Sequence, residues 1–169
     1  MTISLYAASV PVFKQMLDGL DAILVKAEEY AAARNIEPGV LLQSRLFPDM
    51  LQMLRQVQIA CDFARGVSAR LAGLEVPKFD DSEQSFADLR ELIKKTLAFI
   101  DGIKPSQIDG QENREIVLRP GTPKEKKLTG QSYLLSYGLP QFFFHITTAY
   151  GILRHNGLEV GKRDYMGQY

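Results

Sequence analysis

Gln141 and His145 stand four residues apart in TGQSYLLSYGLPQFFFHITTAYGILRHNG, Thr129 to Gly157. On a helix they project from one face, which Thr148 continues. The same stretch holds both histidines of the chain and its densest aromatic run, Phe142-Phe143-Phe144. His145 follows those phenylalanines directly, so burial is expected. Two roles are open to it. It is either a neutral core histidine, hydrogen-bonded to a carbonyl or a glutamine on a neighbouring helix, or a ligand or acid/base group facing a pocket inside a bundle. The polar residues that could face it are Asp49, Arg55, Gln56, Gln58 and Asp62. Asp49 and Gln56 are seven apart, two turns along one helical face. His155 lies ten residues beyond His145, about 80 degrees around a helix, so one metal cannot readily take both. Beside Arg154 and Asn156, His155 fits a helix C-terminus, where a protonated imidazole favours the dipole.

Other chemistry finds little support. The chain has no Gly-rich phosphate loop, no HExxH and no nucleophile elbow. Its single cysteine, Cys61, excludes an intramolecular disulfide and reads as a core thiol. The aromatic set Tyr133, Tyr137, Phe142, Phe143, Phe144 and Tyr150 reads as core or dimer interface. The KEKK cluster, Lys124 to Lys127, reads as a solvated face rather than a phosphate site. Lys and Arg number 20 against 20 Asp and Glu, so no global field draws the chain to nucleic acid or an anionic membrane. No run of about 18 apolar residues is present. The start MTISLYAASVPVFKQM lacks the basic residues and apolar core of a secretory signal, and a cytoplasmic location is expected.

The elements that position these residues follow from periodicity. With 169 residues, 46% hydrophobic and 24% charged, one domain over 1–169 is expected. Leu5, Val12, Met16, Leu20, Ile23, Leu24 and Ala27 predict a first helix from about Ser4 to Arg34, with Pro11 bending it or marking a second start. Asn35 and Pro38-Gly39 open a connector. A second helix is predicted from Phe47, with Pro48 at its first position, to Ala72, and Gly73 stops it. Gly66 inside it costs about 1 kcal/mol relative to alanine, which implies a packing reason. Asp80 with Glu83 predicts the cap of a third helix, about Asp81 to Ile103. Glu115 to Leu118, Pro120-Gly-Thr-Pro123 and the lysines predict a small hairpin. Thr129 caps the fourth helix, which Pro140 bends or restarts, and Gly157 closes it in a left-handed turn. Val160 to Tyr169 has too little apolar content for another element, though Tyr165, Met166 and Tyr169 could pack back. The expected fold is an all-α four-helix bundle with a small β-hairpin insertion before the last helix.

RLFPDMLQMLRQVQIACDFARG (Arg45 to Gly66), SFADLRELIKKTLAFI (Ser85 to Ile100) and LPQFFFHITTAYGILRHNGLEVGKRDYMG (Leu139 to Gly167) resemble the DinB-like (YfiT-like) superfamily of metalloenzymes, within it a bacterial branch of unknown function. Metal-binding members are similar in three histidines, one on the second helix and two, four apart, on the last. If Leu153-Arg154 and Gly157 match the stretch after that pair, His145 takes the second place of the pair, Gln141 the first, and Gln56 falls near the second-helix position. Two of three imidazoles are then amides, poor ligands for zinc or nickel. The resemblance thus implies a degenerate metal site and a homodimer. The expected function is a non-catalytic or small-molecule-binding protein without a cofactor, with pocket candidates Asp49, Gln56, Gln141, His145 and Thr148. The alternative is a metal-dependent transferase or hydrolase in which His145 is ligand or base, Gln141 and Gln56 orient substrate, Asp49 supplies negative charge, and zinc or nickel is bound. A DNA-interacting role is disfavoured by the balanced charge.

Overall fold

The computed structural model describes residues 3–169, in an all-α four-helix bundle with a two-stranded hairpin inserted before the last long helix. The long helices are α1 (Val10–Ala33), α3 (Met53–Ala72), α4 (Phe86–Asp101) and α7 (Leu139–His155), joined by the short helices α2 (Pro38–Gln43), α5 (Pro105–Ile108) and α6 (Gly130–Tyr133). α3 packs on α7 and α4, α1 packs on α4, and α1 closes the ring against α7. Their apolar stripes merge into one core, in which Phe13 of α1 meets Phe142 of α7 edge to face at 4.7 Å. Each fully buried side chain of that size contributes about 1.5–3 kcal/mol through its area alone.

Local chemistry explains where several boundaries depart from the periodic reading. α1 starts at Val10, because Pro11 suits a first turn and Ser9 instead donates its hydroxyl to the Leu5 carbonyl at 2.8 Å. Pro38 opens a short helix rather than a plain connector. The second long helix does not begin at Phe47. Residues 44–52 form a turn, with the Met50 amide donating to the Phe47 carbonyl and Arg45 donating to the Met50 carbonyl. Extended Gln52 then precedes Met53. Asp80 does not cap α4; Ser85 does, its hydroxyl accepting from the Asp88 amide while Asp88 accepts from the Ser85 amide. The acids upstream are held by α3 instead: Asp81 pairs with Arg55, and Glu83 accepts from Gln58 at 2.6 Å.

The hairpin pairs β1 (Glu115–Leu118) antiparallel with β2 (Lys126–Thr129), Glu115 opposite Thr129. Thr129 caps the helical run that follows, as expected. From Gly130 to His155 that run is continuous, and its regular α-helix restarts after Gly138, with Pro140 in the first turn of α7. A π-helical turn over Leu134–Gly138 lets the Leu139 amide reach the Leu134 carbonyl, five residues back, just where the proline ring would crowd an ordinary α-turn. A Cβ on Gly138 would come within 2.8 Å of Val67, so this turn lies close on α3. Gly157 closes α7 at φ +93, in the left-handed region. The tail does form an element, the short helix α8 (Lys162–Met166). Asp164 pairs with Lys26 at 2.5 Å, and the Met166 carbonyl accepts from Gln15, so contacts with α1 replace the missing apolar stripe. Among the described residues, no helix is long and apolar enough to cross a membrane.

Candidate functional site

α3 and α7 run antiparallel along a seam that the π turn and α6 continue toward the end of α3. Gln56, in the first turn of α3, meets His145, and Arg70, in the last, meets Tyr133 just before the π turn. The two ends of this seam differ in chemistry.

At the first end, His145 is 8% exposed and its Nδ1 lies 2.7 Å from Gln56 Oε1. Gln56 Nε2 donates to the Leu51 carbonyl at 3.1 Å, and a carbonyl only accepts. The amide is thereby oriented with its oxygen toward the ring, so Nδ1 carries the proton and donates it. The neutral ring then keeps its lone pair on Nε2. Burial, and secondarily the Arg55 charge, lower the His145 pKa from its ordinary 6.5, which makes the neutral form dominant at pH 7. Phe63 stacks on the ring at 5.9 Å, and Phe144 meets it edge-on at 5.2 Å.

The other sequence candidates do not converge on it. Thr148 is buried and donates its hydroxyl to the Phe144 carbonyl of its own helix at 2.7 Å. Gln141 is half-buried, and its side chain makes no hydrogen bond among the described residues. Asp49 is exposed in the turn before α3, so it shares no helical face with Gln56. Arg55 and Gln58 face the acids before α4, and Asp62 pairs with Arg65 at 2.5 Å. Cys61 is fully buried, and burial pushes its thiol up to about 12, which keeps it protonated and inert. His155 is exposed at the last position of α7.

The donors at this end do not fit a transition-metal site. Zinc takes three or four nitrogen, sulfur or carboxylate ligands. Here one imidazole nitrogen is free, and its neighbour Gln56 is an amide already used twice. Among the described residues, no three His, Cys, Asp or Glu side chains group together to hold a metal ion.

At the second end a cavity of about 840 Å³ opens between α3, the hairpin and the π turn. Its walls include Ile59, Phe63, Leu118, Tyr133 and Tyr137, with the cations Arg70, Arg119, Lys124 and Lys126 and the acids Asp62 and Glu125. Neither Gln56 nor His145 lines it. Phe63 joins the two ends, stacked on His145 on one side and edge-on to Tyr137 at 5.8 Å on the other. Arg70 Nη1 donates to the Gly66 carbonyl at 3.1 Å and to the Tyr133 hydroxyl at 3.3 Å. A Cβ on Gly66 would sit 2.7 Å from that nitrogen. The glycine therefore makes room for an arginine folded back along its own helix rather than for a neighbouring helix. Both acids are engaged: Asp62 with Arg65, and Glu125 with the Gly121 amide at 2.8 Å. Burial pushes the Asp62 carboxyl up against the pull of Arg65, which itself lies over the Phe79 ring at 4.1 Å.

The sequence reading took Tyr133 and Tyr137 as core or interface and the lysines as a solvated face. Tyr133 is indeed in the core, Tyr137 packs against it, and Lys124 to Lys127 are exposed. What the reading missed is that Tyr133, Tyr137, Lys124 and Lys126 border one cavity. It did not single out Arg70. The one signal available was Gly66 four residues before Arg70, a costly glycine one turn from a long cation.

Residues 5–166 match a family described as a domain of unknown function, DUF1993. The chain is also similar to a solved structure, the crystal structure of a DinB family member protein from Shewanella denitrificans. The two are 44% identical and superpose with a TM-score of 0.92, over 98% of this chain and 93% of that one. No match is found among the curated proteins. A match over nearly all of its length, together with that fold, establishes that the chain belongs to DUF1993, a DinB-like domain of unknown function.

Proposed function

We propose that this protein is a non-catalytic, small-molecule-binding member of the DinB-like fold, in which the bundle histidine works in a metal-free polar pair. The observation that carries the reading is the 2.7 Å contact between His145 Nδ1 and Gln56 Oε1, with the amide held by Leu51. An imidazole oriented by a neutral amide, without a carboxylate, thiolate or second imidazole beside it, is a buried hydrogen-bonding group more than a ligand set. The open cavity beyond Phe63 supplies a concave surface on which aromatic and aliphatic side chains meet charged ones, the mix that a polar small molecule needs.

The test is elemental analysis of protein purified without chelator or affinity tag, then zinc and nickel titration of the wild type and His145→Ala. The expected result is no stoichiometric metal and no saturable binding that the substitution removes. Stoichiometric metal lost in His145→Ala would sink the metal-free reading.

The proposal includes a homodimer. Leu46, Phe47, Leu51 and Phe144 are 45–64% exposed on the side of His145 and Gln56, with Leu46 lying against Gly151 of α7. Apolar side chains gathered in this way suit a protein partner. Sedimentation analysis is expected to find a dimer in the wild type and a shift toward monomer in Phe47→Ser/Phe144→Ser. A wild-type monomer at all concentrations would exclude it.

A further inference from the structure

We propose that the cavity between α3, the hairpin and the π turn binds a small organic anion, a carboxylate or phosphate ester carried on a flat apolar body. This rests on the small-molecule reading above and names its site and ligand class. The observations come from three elements that meet only in the folded chain. α3 contributes Arg70, whose Nη1 makes both of its hydrogen bonds. Nε and Nη2 donate to nothing among the described residues, so three N–H groups on two nitrogens of a half-buried guanidinium stay open. The hydroxyl of Tyr133, 1% exposed, accepts from Arg70 and so fixes the guanidinium against the cavity wall from behind. Arg70 Nε and Nη2 together present a fork of donors suited to two oxygens of one anionic head group.

The hairpin contributes charge without neutralising it. Arg119, Lys124 and Lys126 line the cavity, and their side chains make no ion pair or hydrogen bond among the described residues. The two acids of the lining are held elsewhere, by Arg65 and by the hairpin turn. The local balance is thus cationic in a chain whose total charge is zero. Cations around a concave, partly apolar wall favour an anion by screening less than they would on an open face.

The π turn contributes the apolar wall. It carries Tyr137 into stacking range of Tyr133, ring centres 5.9 Å apart, and edge-on against Phe63. Ile59 and Leu118 continue that surface. A flat apolar body packs there while its head group reaches Arg70. π turns inside α-helices recur at functional sites, and this one sets both tyrosines of the wall.

The probe pair is cinnamate and its neutral isostere cinnamamide, with phenyl phosphate to distinguish head groups, followed in two-dimensional amide NMR spectra of the intact protein. Cinnamate is expected to shift signals from residues 59–70, 118–126 and 133–137. Cinnamamide should bind about tenfold more weakly, the loss expected when charge-assisted hydrogen bonds are removed. Arg70→Gln should abolish that preference. Lys124→Gln/Lys126→Gln, on exposed positions that do not threaten folding, should reduce it severalfold and leave cinnamamide unchanged. Equal affinity for acid and amide, or shifts gathered around His145 and Phe144, would overturn the inference while small-molecule binding stands. No binding of any of the three probes at millimolar concentration would overturn both.

Discussion

The two ends of the seam along α3 have opposite polar arrangements: α7 faces α3 at one, and α6, the π turn and the hairpin face it at the other. At the Gln56–His145 end, the paired ring nitrogen and amide groups are used within the protein, the ring is nearly closed off, and the neighbouring aromatic rings cover it. At the Arg70–Tyr133 end, a guanidinium and three hairpin cations line an open volume with donors to spare. Buried polar groups that satisfy one another hold a fold in register, whereas polar groups left open at a concave surface are available to a ligand. On the proposed reading, structure belongs to the first end and recognition to the second, although the histidine attracts attention first in the sequence.

The largest effect that could break this comparison is on stability. His145→Ala leaves Gln56 Oε1 without its donor and is expected to cost about 1–3 kcal/mol in urea unfolding at pH 7.5. The sign of its pH dependence follows from the lowered pKa. The folded protein holds His145 neutral, so its stabilising contribution is present above the unfolded value near 6.5 and is lost as pH falls through the lower folded value. The gap between wild type and variant should therefore narrow on acidification. A gap that widens would mean a protonated, ion-paired histidine.

A smaller effect sharpens the other half. Gly66→Ala adds a methyl 2.7 Å from Arg70 Nη1, a contact that a flexible arginine can escape by moving. The helix should gain up to about 1 kcal/mol in propensity, while cinnamate binding weakens severalfold because Arg70 leaves Tyr133. Stability and affinity would then move in opposite directions. If both were unchanged, Arg70 would not be held in place by that glycine.

The bundle was legible because it rests on periodic patterns. The stripes through Leu20 to Ala27, Val57 to Leu71 and Leu89 to Ile100 place three helices without any tertiary knowledge. Boundaries failed where two local signals competed. Pro48 looks like a first helical residue, yet Ser44 to Gln52 turns back on itself; Asp80-x-x-Glu83 looks like a cap, yet Ser85-x-x-Asp88 supplies both reciprocal bonds. α8 has no periodic signal at all and depends on Lys26 and Gln15 of a helix far away in the chain. The likeness to a family pointed to Gln56 as the position near His145, which spacing alone could not do. The cavity was illegible because β-hairpin placement is a tertiary matter. KEKK is an exposed run, and only the placed hairpin shows that Lys124 and Lys126 border the same cavity as Phe63 and Tyr137.

The most direct measurement pairs unfolding stability with cinnamate affinity in the same two variants, His145→Ala and Lys124→Gln/Lys126→Gln. The account predicts that His145→Ala loses about 1–3 kcal/mol of stability and keeps its affinity, while the lysine variant keeps its stability and loses affinity severalfold. If His145→Ala instead loses cinnamate binding at unchanged stability, recognition belongs to the histidine end and the assignment is reversed.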